Sequence, residues 1–529
     1  MAAASLAAPS GRGLGSKVEP DRRIRRIAVV GGGTAGWTAA AMLNRKLGGQ
    51  CSIHVVDTPA PMSAGHAEAT LPSVFELLRF LGIDQNEFVD KTQSTYSLGT
   101  RFHDWSAPGE VFWHPFGVFG AQIERRPFYH FWHKARAQGL KLRADLFSQE
   151  ISFGQANRFI FPTNTMGVAP QLRYALHVDG AMYARFLRAV AERGGVIRLE
   201  RKVVSATRRD DSSLDELKFE DGGTLRADLF IDCTGSRALL LGEFLGTTWQ
   251  DWSAWLPCDR LVSVPGALAD LRPPYVQNTA RSAGWQWRMA LQQVVSHGLV
   301  YASAHQGDDE ARQALLSGVN EPLAEPRVSG LASGRREHFW QGNVVALGAA
   351  AGKIDPLAAA DHHLTTNAVF NLLDHFPDRQ FDPANIASYN EIIGDEFERI
   401  RDFTLLHYRL SRRDDSPFWR GFAEREIPVT VARRIEMYRA AGRIVLRQPE
   451  LFSELDWFWI LEGMGVVPRD YDPLVDAVDY EQVQRLMLAI TQKVTADTAA
   501  APTHDSFFAQ ANARLAGVRK STTAAQSAG

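Results

Sequence analysis

The chain has 529 residues with 58 Lys+Arg against 60 Asp+Glu, a net charge of −2, and no basic cluster dense enough for a nucleic-acid footprint. Its length suffices for two or more packed regions around a large core, and no apolar run is long enough to cross a bilayer. Three cysteines (Cys51, Cys233, Cys258) lack metal-ligand spacing and are too few for a disulfide framework, so no metal site and reduced, buried thiols in the cytoplasm are expected.

In chain order, residues 1–23 lack the basic and apolar regions of a signal peptide and read as a disordered tail. The next segment, from Ile27 to Asp57, is the most informative: an apolar β-branched run, then Gly31-x-Gly33-x-x-Gly36, a helical stretch, and a second strand ending on an acid. Gly31 permits a tight turn, Gly33 lets backbone approach a pyrophosphate, and Gly36 lets the helix pack close to the strand. Thr34 and Ala35 open that helix, whose free N–H groups and dipole favour a diphosphate. Asp57 can accept ribose hydroxyls, so the unit predicts a dinucleotide site.

Further on, Gly180–Arg193 places Met182, Phe186, Leu187 and Val190 on one helical face. Val196–Glu200 and Thr224–Gly235 read as strands, the latter entering a small-residue turn at Cys233–Gly235 where backbone can pass close to a cofactor. Asn343–Gly352 is another apolar strand followed by small residues, including Gly348. The expected organisation is an α/β core over 24–382 with inserted substrate-binding segments, a helical region over 383–494, and a flexible tail over 495–529 whose Phe507-Phe508 pair could dock.

These residues together resemble the flavin-dependent tryptophan halogenase family, from about Ile24 to Tyr480. The resemblance rests on Gly31-Gly32-Gly33-Thr34-Ala35-Gly36-Trp37, Glu68-Ala69-Thr70-x-Pro72, His177-x-Asp179 and Asp232-Cys233-x-Gly235. Arg401-Asp402-Phe403, Pro417-Phe418-Trp419-Arg420 and Trp457-x-x-Ile460-Leu461-x-Gly463-x-Gly465 follow in order. It implies an FAD-binding, Rossmann-like α/β core of the flavoprotein monooxygenase and halogenase type, with an interleaved, mainly helical substrate region. FAD contacts are then expected from Gly31, Gly33, Thr34, Ala35, Gly36, Asp57, Glu68, Ala69, Thr70, Gly348 and Leu357. It also implies that reduced FAD comes from a separate NAD(P)H-dependent flavin reductase. Oxygen and halide would then yield hypohalous acid, which travels down a tunnel to an indole held between aromatic rings. Only one strong dinucleotide fingerprint is present, which suits an external source of reducing equivalents. Whether the chain forms a homodimer is left open.

The chain departs from the family where the chemistry should sit. Ser97 stands at the family's catalytic lysine, and serine supplies neither a titrating amine nor a positive charge; Lys91 rescues the position only through a register shift. Ala358 replaces the family glutamate, and Ala360-Asp361 replace a Thr-Gly pair whose amides hold halide; a carboxylate there repels an anion. Asp361 opens a helical segment and is read equally as its N-cap or as a chemical group. The imidazoles of His362 and His363 are candidate proton donors or bases beside the flavin. Trp285 and Trp287 keep the family's paired tryptophans, two apart and so on one strand face, with core packing as their expected role, while Ala290 replaces a proline. His114, Phe116 and Trp457 are expected to hold an aromatic substrate. Three functions compete: a family flavoprotein acting as an aromatic monooxygenase without the halide machinery, a halogenase using relocated groups, and a non-catalytic FAD-binding protein.

Overall fold

The computed structural model describes residues 22–58, 64–162, 172–210, 213–268, 271–446 and 450–509. Most of the first predicted tail, and the part of the last beyond 509, lie outside the described residues.

The apolar run that opens the glycine motif becomes β1 (Arg26–Val30), with Ile27 to Val30 all buried. It is followed by α1 (Thr34–Leu47) and β2 (Ser52–Asp57). β1 is the inner strand of a parallel sheet, Val29 facing Ile231 on one side and Val55 on the other. The order is Trp340–Gln341, Val344–Ala346, Leu229–Asp232, β1, β2, Ile197–Glu200, antiparallel only at the first pair. An inner parallel strand covered on both faces needs a continuous apolar sequence, which is why this one lacks alternation.

The stretch Thr224–Gly235 is not one strand. Thr224–Arg226 closes a small antiparallel meander, and the chain joins the parallel sheet only at Leu229. On the Gly180–Arg193 helix, Phe186 and Leu187 are buried as predicted, but Tyr183 and Ala191 complete the face while Met182 and Val190 are half-buried.

The interleaved region also carries a seven-stranded sheet that periodicity did not reveal. Its order is Arg327–Gly330, Arg260–Ala267, Val294–Tyr301, Gly284–Ala290, Val276–Arg281, Gly99–His103, Val111–Pro115. From Pro383 the chain is helical, led by the 27-residue Pro383–Arg409 helix. The last long helix runs from Tyr480 to Ala500, past the expected end at 494, and Phe508 beyond it stacks on Tyr96 with centroids 5.3 Å apart. All three cysteines are free and buried. No helix among the described residues is long and apolar enough to cross a membrane.

One buried carboxyl makes the fold pH-sensitive. Burial pushes Glu150 up to about 7, although the Arg173 N–H and the Ser148 hydroxyl donate to it. Its folded pKa lies above its unfolded value, so the native state binds the extra proton and stability falls as pH rises from about 4.5 to 7. Glu150→Gln is expected to remove that slope, raising stability by about 2–3 kcal/mol at pH 8 and changing little at pH 4. Urea denaturation at the two pH values reads this directly; an equal effect at both would contradict it.

Candidate functional site

Two cavities lie on either side of Gly33 and Thr34. The first, about 610 Å³, is bounded by the glycine turn, Asp57, Arg198 and Thr234. Gly31 has φ +113°, and a Cβ there would sit 2.1 Å from the Cys233 carbonyl oxygen. A Cβ on Gly36 would sit 1.8 Å from the Gly31 carbonyl oxygen, whereas one on Gly33 meets nothing within 4 Å. The outer glycines therefore serve turn and packing, and Gly33 opens onto free space of the kind a diphosphate needs. Among the described residues no side chain caps α1, which leaves its first N–H groups to an anion. Asp57 lines this cavity, steadied by the Arg198 Nη2 and Nε at 2.9 and 3.2 Å. Its remaining oxygen can accept from a ribose, and Asp57→Ala is expected to weaken FAD binding about tenfold by fluorescence titration. An unchanged Kd would remove Asp57 from the cofactor site.

The second cavity, about 390 Å³, begins at Thr34 and Ala35 and continues along Glu68, Ala69, Gly348 and Leu357. Thr70 stands behind it: its hydroxyl donates to the Leu176 carbonyl at 2.9 Å and accepts the Leu176 N–H at 3.0 Å, pinning the Ala67–Ala69 strand. The far wall is one face of the seven-stranded sheet. Trp285 and Trp287 line it with centroids 5.8 Å apart, so these rings do more than fill the core. Beside them the Asn278 Oδ1, the Trp287 Nε1 and the Ser296 Oγ are buried and have no partner among the described residues. Orphaned polar atoms of this kind are costly unless a ligand or water satisfies them. An elongated cradle for a diphosphate on one side of α1, and a chamber with tryptophans and orphaned polar atoms on the other, fits FAD.

A charged edge borders the chamber. Lys353 follows Gly352 in a two-residue strand, and its ammonium pairs with the Asp361 carboxylate. Burial opposes that charge, but Asp361, Glu68 and Asp355 outweigh it and hold the lysine above its ordinary pKa. The His362 Nε2 lies 2.7 Å from the Glu68 Oε2, and its imidazole meets Tyr183 edge-on at 4.8 Å. Burial opposes ionisation of Glu68, yet His362, Lys353 and His66 hold it below the usual carboxylate range. Behind the edge, burial pushes Asp355 up to about 6 despite hydrogen bonds from the Tyr408 hydroxyl at 2.8 Å and the Leu357 N–H at 3.1 Å.

Several predicted positions are corrected by this geometry. Asp361 is the first residue of the Asp361–Asp374 helix rather than its cap, because its carboxylate is engaged by Lys353. His363 turns out of the chamber, its Nε2 2.8 Å from the Glu396 Oε1 and its Nδ1 3.0 Å from the Ser73 Oγ. His362 lines the cavity, whereas His363, about 100° further round the helix, does not. Ser97 is buried in the Thr95–Ser97 strand, near its own Gly99 carbonyl, and does not line the chamber. Lys91 ends the Gln85–Lys91 helix with its side chain 56% exposed and 3.8 Å from Asp90, so no register shift carries it to the flavin. Lys353, the one lysine or arginine lining the chamber among the described residues, was missed by sequence reading; its signal was a lone cation inside Gly348-Ala-Ala-Ala-Gly-Lys-Ile.

The predicted aromatic residues gather elsewhere, and two of them meet. The His114 Nε2 lies 2.8 Å from the Asp456 Oδ1, which the capping box at Ser453 holds in place. His114 and Trp457 both pack against Phe403, at 5.4 and 5.1 Å, and Phe452 stacks on Phe403 at 3.8 Å. Trp457 is fully buried with the Arg434 guanidinium 3.8 Å above its ring. Phe116 is half-buried at the edge of the same core. None of the three lines the flavin-side chamber.

The tryptophan halogenase family model matches residues 26–480. The chain is similar to BrvH, a flavin-dependent halogenase from Brevundimonas sp. BAL3, with TM-score 0.89 and 36% identity, covering 93% of this chain and all of that one. It is similar to Xcc4156, a flavin-dependent halogenase from Xanthomonas campestris, with TM-score 0.89 and 36% identity over 92% of this chain and 98% of that one. Tryptophan 6-halogenase SttH of Streptomyces toxytricini is 26% identical over 93% of this chain and 99% of its own length. With the glycine cradle, the chamber and a match over most of its length, this chain belongs to the tryptophan halogenase family.

Proposed function

We propose that this protein is an FAD-dependent oxidoreductase that oxygenates an aromatic, indole-like substrate without using halide. Its cofactor is FAD, delivered reduced by a separate NAD(P)H-dependent flavin reductase. The observation that carries the reading is the state of the chamber's cations: Lys353, the one lysine or arginine lining it among the described residues, is already paired with Asp361. Ser97 and Ala358 supply no charge where the family has lysine and glutamate. Two carboxylates, Glu68 and Asp361, share that edge, and their field disfavours a free anion.

When bound, reduced FAD supplies two electrons to O2, so that one oxygen atom enters an aromatic C–H bond as hydroxyl and the other leaves as water. The chain supplies the rest. Trp285, Trp287 and Met289 keep the chamber apolar on the sheet side. His362, its Nε2 set against Glu68, is the imidazole placed on the chamber wall to move a proton. Lys353 fixes the opposite charge at the chamber edge.

One observation favours the second reading, a halogenase with relocated groups: Lys353 brings an amine into the same chamber by another route. Purified protein with FAD, reductase, NADH, oxygen and a panel of indoles separates the two. The expected product is oxygenated and forms at the same rate with and without bromide. A brominated product would establish the second reading, and peroxide with no product from any substrate would leave only cofactor binding.

A further inference from the structure

We propose that the Asp361 carboxylate is a tethered anion that closes an anion-binding site at Lys353, so that this one side chain excludes small anions from the flavin chamber. The inference rests on the halide-independent reading above. Among the described residues Lys353 is the one lysine or arginine lining the chamber, and its side chain is 28% exposed. Asp361, Glu68 and Asp355 keep it charged despite burial. A half-buried ammonium with three donors at the rim of an enclosed chamber favours an anionic acceptor, and here the chain supplies it through Asp361.

The partners differ in a way that makes the acceptor replaceable. Asp361 is 48% exposed, carries no backbone-capping duty, and begins a helix rather than sitting inside one. Asp355 is spoken for by the Tyr408 hydroxyl and the Leu357 N–H, and Glu68 by His362. Removing the Asp361 side chain therefore leaves the Lys353 cation with a carboxylate-sized space where its ion-pair partner stood. A small monovalent anion, formate or bromide, matches that space and charge.

The test uses FAD-saturated protein and reads the thermal midpoint against potassium formate or potassium bromide, with potassium sulfate at matched ionic strength as the control. Wild type is expected to show no saturable response. Asp361→Ala is expected to gain saturable stabilisation by both anions, at least about tenfold tighter than any wild-type response, and Lys353→Met/Asp361→Ala to lose it again. Asp361→Ser, which suits a first helical turn, replaces Asp361→Ala should that variant not fold. No saturable response in either single variant overturns the tethered-anion proposal and leaves the halide-independent reading standing. Saturable bromide binding by wild type that Lys353→Met abolishes overturns both.

Discussion

Gly36→Val is expected to yield protein that takes up no FAD, with affinity lowered more than about 100-fold where any folded material is recovered. A Cβ at this position would lie 1.8 Å from the Gly31 carbonyl oxygen and 2.9 Å from its carbonyl carbon. Both are backbone atoms of the turn itself, so no side-chain rotation relieves the clash. The helix must move off β1, and the N–H groups that it aims at the diphosphate move with it. Gly33→Ala gives the contrast. Its Cβ meets no protein atom within 4 Å, so the apo fold should melt as wild type does while FAD binding weakens, because the methyl occupies cofactor space. Flavin absorbance after gel filtration and an apo-protein melt read both variants. Wild-type FAD content in Gly36→Val would contradict the cradle.

The adjacent histidines should separate just as cleanly. His362→Ala is expected to lower turnover by 10²–10⁴-fold with FAD affinity kept within a few-fold, because the imidazole faces the chamber and Glu68 orients it. His363→Ala should keep turnover within about threefold and instead lose on the order of 1–3 kcal/mol of stability, since the Glu396 carboxylate it serves is left without that partner. Rapid-mix turnover with pre-reduced FAD, beside urea melts of each variant, distinguishes chemical from structural loss. Equal activity loss in both would place the two histidines in one role, against the geometry.

What the sequence revealed depended on how local the physics was. The glycine turn, its two strands and Asp57 were legible because each residue type answers a constraint within thirty residues of chain. The chamber was only half legible. Glu68, Ala69, Gly348 and Leu357 were expected there, and Asp361 and His362 line it too. The facing of His363 depends on helix phase, which was uncertain while Asp361 was a candidate cap rather than the first helical residue. Lys353 went unnoticed because its meaning comes from Asp361 and Glu68, the latter reaching it across 285 residues of chain, and a single lysine carries no periodic signature. The seven-stranded sheet was missed for a related reason. Its Gly284–Ala290 strand does alternate, with Trp285, Trp287 and Met289 against Gln286 and Arg288, but alternation along one strand does not say which distant strands, from Gly99–His103 to Arg327–Gly330, pair beside it.

The aromatic cluster shows the same limit from the other side. His114 and Trp457 do converge on Phe403, yet they form a packed assembly held by Asp456 and Arg434 rather than an open slot. Aromatic composition identified the neighbourhood, whereas occupancy by Phe452 is a property of tertiary packing alone.

Isotope labelling puts the oxygenase reading to its most direct trial. With reduced FAD, an accepted indole and ¹⁸O2 in halide-containing buffer, the product should carry one labelled oxygen atom and no halogen. A product that bears bromine, or whose new oxygen comes from water, would contradict it.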